Sequence, residues 1–340
     1  MSVIGAFGRQ AKACADLGSP FMAQLMALFA ERLRSGGVVS DHILNWSGDP
    51  EPSADCVPLR LAGALHALRL QGKALEAVYP PAQVDDDALW HSVVHAMDDH
   101  ASQITEWLGS PPQTNEVRRA AVILPALAML REIYDRPVAL FELGTSGGLN
   151  LRADLFRLEL VNAALGPAGS PVLLTPEWTG AMPPTDLPQI VSRRGVDLNP
   201  IDPVTPEGRL RLLAYLWPDQ PDRMKRTEGA IALASDHAAE LSRDDAGAWL
   251  VKELARHQPG TLQLVFHTIA WQYFPESTRS VANAALAAAA GEATVDAPLA
   301  RLSMENADGR AAAVTLTTWP GGKERLIARA DFHGRWVDWS

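Results

Sequence analysis

The sequence predicts an α/β protein: a doubly wound, mostly parallel sheet with a C-terminal antiparallel hairpin, preceded by an all-helical N-terminal domain. Three observations carry this. Val138 to Phe141 is an unbroken apolar run of strand length that feeds directly into a glycine-rich turn. Strand-like runs alternate with helical patterns beyond it, which is the signature of crossover units. The chain then closes on three strand-like runs, Leu299–Met304, Ala312–Thr318 and Glu324–Phe332, with no long helix among them. A length of 340 residues exceeds one ordinary core, so the reading divides the chain into a helical domain, 1–130, and an α/β domain, 131–340.

In chain order, residues up to about 134 show helical periodicity interrupted by Pro and Gly. Phe21 to Leu33 places Phe21, Leu25, Met26, Phe29 and Leu33 on one side; Leu59–Val78 and Asp85–Leu108 are further helices. His91 and His95 fall on one helix face, but no carboxylate is spaced to complete a metal site, so no metal is expected. Ser110–Val117 opens the next helix, which runs to about Tyr134, with Thr114 or Asn115 as its cap and a kink expected at Pro125. The polar start of that helix, including Asn115 and Glu116, is placed to reach a site beside the sheet.

The central stretch is Pro137 to Asn150. Glycines 144, 147 and 148 permit a tight turn and close approach of a ligand to the backbone. Leu149 to Leu158 reads as the helix that follows. Strand, glycine turn and helix start together make a backbone N–H cradle. Two enzyme classes use such a turn, and the string fits both. Glu142-x-Gly144-x-Ser146-x-Gly148 resembles the first motif of class I S-adenosylmethionine-dependent methyltransferases, with Ser146 in place of the usual middle glycine. Gly144-x-Ser146-x-Gly148 also matches the nucleophile elbow of α/β-hydrolases. A carboxylate at 142 suits a ligand carrying an ammonium group and does nothing for a serine whose attack generates an oxyanion, so the nucleoside-cofactor reading is favoured. The cradle residues are then Glu142, Gly144, Thr145, Ser146, Gly147, Gly148 and Asn150.

Glu159 to Pro188 is irregular and proline-rich, with a hairpin suggested around Val172–Leu174 and Trp178. Gln189–Val196 is a second strand ending in Asp197, the position that binds ribose hydroxyls in nucleoside sites. Helices follow at Pro206–Trp217 and Asp222–Ser235. Ala238–Ala246 reads as a third strand ending in Asp244 and Asp245, which suit an adenine amine. A helix, Trp249–His257, comes next. Thr261–Thr268 is the fourth strand, and its end places His267, Trp271, Gln272 and Tyr273 where a substrate would be handled. His267 suits general base work because its ordinary pKa lies near neutrality. The hydrolase alternative needs an acid (Asp236, Asp245 or Asp296) and a base (His267 or His333) after Ser146.

Composition narrows the partners. Net charge is −10, with 40 acidic against 30 basic residues, which argues against an extended nucleic-acid footprint. The two cysteines, Cys14 and Cys56, lie far apart and make no disulfide framework. No signal-peptide or membrane-spanning pattern is evident, so a cytoplasmic protein acting on a small molecule, with no nucleic-acid or membrane partner, is expected.

Several segments, Gln113–Glu116, Glu142–Asn150, Arg194–Asp197, Trp217–Gln220 and the His267 strand, resemble a bacterial family known as a domain of unknown function. The resemblance covers nearly the whole chain. It implies a Rossmann-like, methyltransferase-type fold and no established reaction. A closing antiparallel hairpin on a parallel sheet is likewise a feature of class I methyltransferases. The leading expectation is methyl transfer from S-adenosylmethionine to a small molecule, with the helical domain shaping one wall of the site. The alternatives are a serine hydrolase using Ser146 and a non-catalytic ligand-binding or interaction protein.

Overall fold

The computed structural model describes residues 2–52, 54–256 and 258–340. The chain forms two units. The first comprises Met1–Thr114 together with Arg209–Lys225, and the second Asn115–Gly208 with Arg226–Ser340. The division therefore falls after Thr114 and not near residue 130, because the helix before the central strand buries its side chains in the second unit's interior.

Among the described residues the first unit contains six helices before its break: α1 (Val3–Asp16), α2 (Pro20–Arg32), α3 (Val38–Leu44), α4 (Val57–Leu70), α5 (Asp86–Asp99) and α6 (Ala101–Leu108). The single helix expected over 85–108 is broken at His100, which serves as the C-cap of α5 and the N-cap of α6. Phe7, Leu25, Met26, Phe29, Leu61, Leu65 and Leu68 form the fully buried centre. The returning segment completes it. Gly63 has no Cβ because the Tyr215 ring would stand 2.5 Å from one. Asp219 accepts from the Ser19 hydroxyl at 2.6 Å and the Phe21 amide at 3.0 Å, satisfying orphan donors at the start of α2. His91 and His95 bind Asp87 O and Asp99, and no group of three metal-ligating side chains occurs among the described residues.

The second unit begins with α7 (Ala120–Tyr134), whose residues 120 to 128 are all buried. The helix runs through Pro125 without interruption. It leads into β1 (Val138–Leu143), buried at every position. The helix expected after the glycine turn is instead a short 3-10 helix, Leu149–Leu155, and Arg152 inside it leaves helical geometry. Leu149, Leu151, Ala153 and Phe156 are buried, so the stretch lacks the single apolar face of an amphipathic helix.

Small strands β2 (Arg157–Glu159), β3 (Ala164–Leu165) and β4 (Leu173–Leu174) make a separate three-stranded sheet. β5 (Glu177–Gly180) does not complete the expected hairpin with β4; it joins the main sheet. In chain order there follow β6 (Ile190–Asp197), α8 (Pro206–Ala214) and α9 (Pro221–Asp236), of which residues 209–225 belong to the first unit, then β7 (Glu240–Arg243), α10 (Ala246–Leu254), β8 (Leu262–Thr268), α11 (Glu276–Glu292), β9 (Leu299–Asn306), β10 (Ala312–Trp319), β11 (Lys323–Ala330) and β12 (Trp336–Trp339).

The nine-stranded sheet runs β5-β12-β11-β10-β9-β8-β1-β6-β7. β7, β6, β1, β8 and β9 are parallel to one another, and β9 to β12 form an antiparallel meander. The closing antiparallel element is thus larger than the hairpin read from sequence. β1 is central: the chain leaves it towards β6 and β7, then returns to its other side as β8. This reversal is the topological switch point, where the crevice at the carboxyl ends of β1, β6 and β8 receives ligands in open α/β sheets. No helix among the described residues is long and apolar enough to cross a membrane.

Candidate functional site

Three parallel strands bring their carboxyl ends together at the switch point, and with them most of the residues singled out from sequence. Glu142 pairs with Gly195 on β6 and Phe266 on β8, and is buried. Its Oε2 accepts the Thr145 hydroxyl at 2.5 Å. Burial pushes the carboxyl up to about 8, only partly opposed by that hydrogen bond and by Arg152, so Glu142 is protonated at neutral pH. Gly195 must be glycine, since a Cβ would lie 2.5 Å from the Thr145 Oγ1.

The turn itself is held by the protein's own groups. Gly144, Ser146 and Gly148 have φ of +73°, +52° and +63°. The amides of Gly144 and Thr145 donate to Val196 O, that of Ser146 to Asp197 Oδ2 at 2.9 Å, and that of Gly148 to Thr145 O. Asp197 also accepts from the Asn199 amide at 2.9 Å, an Asx turn that fixes the end of β6. The next residue, Leu198, is 63% exposed.

Thr114 or Asn115 was expected to cap the helix that follows them. Asn115 does something else: its Oδ1 accepts from the Leu149 amide at 2.8 Å, capping the 3-10 helix after the glycine turn. The cap of the short turn at Val117–Arg119 is Glu116, whose carboxylate accepts from the Arg118 amide, while Glu116 O accepts from Asn150 Nδ2 at 3.1 Å. Sequence reasoning missed Arg152, which donates to Gly148 O at 2.7 Å and His237 O at 2.9 Å; burial lowers its pKa to about 10. Two polar atoms of the turn are buried without a partner, Ser146 Oγ and Asn150 Oδ1.

Asp244 and Asp245 end β7 as expected but are engaged there. Asp245 caps α10 through the Gly247 and Ala248 amides and accepts the Thr278 hydroxyl. Asp244 accepts from the Asp245 amide and pairs with Lys252 at 2.7 Å, which holds its carboxyl below the usual range.

His267 lies at the end of β8 and is fully buried. Its Nδ1 meets Glu305 Oε1 at 2.7 Å, and its Nε2 receives Arg301 Nη2 at 2.9 Å and Nε at 3.2 Å. An arginine only donates, so Nε2 is the acceptor nitrogen and Nδ1 carries the proton. Burial holds the imidazole below its ordinary pKa against the pull of Glu305, and the ring is neutral. Burial also works to raise Glu305, but His267 and two backbone amides more than offset it and leave its carboxyl low. Both nitrogens of His267 are therefore occupied in this arrangement, and neither faces a substrate. Trp271 stacks on His267, centroids 4.9 Å apart, and lies under the Arg301 guanidinium at 4.4 Å. Gln272 and Tyr273 point outward, Tyr273 being 72% exposed. Glu305 and Arg301 were not read as site residues. The signal was present in β9, where charged or polar residues at 301, 303 and 305 alternate with apolar ones.

Comparison with known proteins adds the family. Residues 5–339 match a family described as an uncharacterized protein conserved in bacteria, DUF2332. The chain belongs to that family. No curated protein and no solved structure matches it. The family carries no described reaction, so the chemistry rests on the residues above.

Proposed function

We propose that the second unit binds S-adenosylmethionine at the glycine turn and serves as a methyltransferase for a small molecule, on a methyltransferase-type Rossmann-like fold. The carrying observation is the pair of buried, partnerless atoms on the turn, Ser146 Oγ and Asn150 Oδ1, beside the Asp197 carboxylate at the switch point. Buried polar atoms nearly always have a partner, and two orphans in one ligand-type turn call for one from outside the chain. The residues fit the cofactor: Asp197 suits ribose hydroxyls, since each carboxylate oxygen accepts more than one bond, and exposed Leu198 offers an apolar shelf beside it. The cofactor would supply a methyl group already activated on a sulfonium. The protein's part is then to align donor and acceptor and to exclude water. Protonated Glu142 props Thr145 beneath the turn without adding charge there. His267 serves as a base only if Arg301 leaves its Nε2.

The test is titration calorimetry with S-adenosylmethionine and S-adenosylhomocysteine on wild type and Ser146→Ala. Micromolar binding that weakens about tenfold in the variant, as expected for one hydrogen bond lost to a ligand, supports the reading. Absence of heat from wild type, and from a variant with the turn uncovered, sinks it.

A specific observation favours a second reading, a non-catalytic ligand-binding or interaction protein. A Cβ on Gly144 would stand 2.7 Å from Ala270 Cβ and 3.6 Å from the Phe274 ring, so the chain covers its own turn. For the serine hydrolase, Ser146 has the positive φ of an elbow, yet its Oγ has no hydrogen-bonded imidazole. Labelling of Ser146 by a fluorophosphonate would revive that alternative.

A further inference from the structure

We infer that Ile269 to Pro275 is a strap closed over the glycine turn and that Glu305, outside the strap, is its latch. Four observations converge. The strap's inner residues, Ala270 and Phe274, fill the space that Gly144 leaves by lacking a side chain. One carboxylate oxygen, Glu305 Oε1, gathers the strap's Ala270 and Trp271 amides at 3.1 Å each together with His267 Nδ1 at 2.7 Å. The other oxygen is buried with no partner, so the carboxylate holds the strap through Oε1 alone. Trp271 stacks on the His267 ring and lies under the guanidinium of Arg301, which itself donates to His267. At the junction of strand and strap, Ile269 adopts φ +50°, a left-handed conformation that a β-branched residue occupies only when its surroundings impose it. The outer face of the strap contributes little to hold it, since Gln272 and Tyr273 are exposed.

The strap is thus a strained connection whose Ala270 and Trp271 amides are fastened to one carboxylate oxygen, beside a backbone bond from the Ile269 amide to Met304 O at 2.8 Å. Release at Glu305 relaxes Ile269, withdraws Ala270 and Phe274 from Gly144, and exposes the turn. Arg301 sits on the far side of His267, so the latch is a line of three groups, carboxylate, neutral imidazole and guanidinium. His267 faces Glu305 and Arg301 on β9 and Trp271 on the strap. Arg301 in turn faces Asn283 on α11, at 3.4 Å, and feels Glu324 on β11. A proton added to His267 would turn Nε2 from acceptor to donor against an arginine that only donates, which weakens the line from the Arg301 end. What enters when the strap opens rests on the reading of the site as a nucleoside-cofactor cradle; the latch does not.

The test is native-state hydrogen exchange without ligand on wild type, Glu305→Gln and Glu305→Ala. Exchange of the Ala270 and Trp271 amides is expected to accelerate at least about tenfold in Glu305→Ala and less in Glu305→Gln, which retains an acceptor oxygen. Amides of Ala139 to Phe141 in β1 should be unchanged, which shows that the sheet is intact. If Glu305→Ala fails to fold, Glu305→Gln alone decides, because it too loses the charged acceptor. Strap amides that keep the wild-type rate in a folded variant overturn the latch. Calorimetry with S-adenosylmethionine on the same proteins separates the two ideas. Faster exchange with no binding by any variant leaves the strap standing and removes the cofactor, whereas binding with unaltered exchange does the reverse.

Discussion

Substituting Gly144 by alanine tests the close packing of the turn against the strap. The added methyl faces two penalties. The φ of +73° is open to glycine but costs an L residue about 1–2 kcal/mol. The methyl would also begin 2.7 Å from Ala270 Cβ, inside any normal contact, and overpacking of that kind costs about 1–3 kcal/mol. Together the loss is about 3 kcal/mol. At about 2–4 °C per kcal/mol for a domain of this size, melting should fall by about 6–12 °C in calorimetry or circular dichroism. Gly195→Ala isolates one penalty: its φ is ordinary, but a Cβ would meet the Thr145 side chain at 2.5–2.8 Å, so only overpacking applies, about 1–3 kcal/mol. Gly169→Ala, with nothing within 4 Å, should change melting by less than about 2 °C. A Gly144→Ala protein that melts with Gly169→Ala would refute the close packing and leave no covered turn.

Two further perturbations probe the same region. Glu142 is held neutral by burial, with its folded pKa near 8 against an ordinary value of 4.5, so its contribution is fully present below about pH 4.5 and lost as pH rises towards 8. The unfolding free energy of Glu142→Gln relative to wild type, read from denaturant titrations, should therefore climb from pH 5 to about pH 8, by up to about 1.4 kcal/mol for each pH unit in that window; a flat difference would contradict the buried neutral acid. Asn115→Ala strands the Leu149 amide at a buried position and should cost about 1–3 kcal/mol in denaturant unfolding, largely restored by Asn115→Asp; equal loss in both variants would mean that the cap is not the reason.

What could be read from sequence was what local pattern encodes. The run at 138–141, the positive-φ glycines 144 and 148 and the acid closing β6 are each encoded within a few residues, and each lies at the switch point. Even there the regular helix read after the turn is a 3-10 helix, and its buried residues do not follow the periodicity of a surface helix. The strap was invisible for a different reason. Glu305 reaches His267 because β8 and β9 pair with His267 opposite Ser303, a register that nothing local specifies. Asn115 illustrates the same limit: beside a helix start it reads as a cap for that helix, yet its acceptor serves an amide 34 residues onward. The division after Thr114 also escaped, since α7 is apolar enough to belong to either core. Its burial in the second unit is decided by partners that come later in the chain.

The first unit's division into two segments has a consequence for how the protein is made. Tyr215 fills the gap left by Gly63, and Asp219 satisfies the start of α2, so residues 1–114 emerge from the ribosome without the pieces that complete them. By the time Arg209–Lys225 is synthesised, β1 and β6 already exist, while β7, β8 and the closing meander do not. The usual order of biosynthesis, an N-terminal domain finished before the next begins, is unavailable to this chain. The nascent protein must carry two incomplete apolar interiors at once.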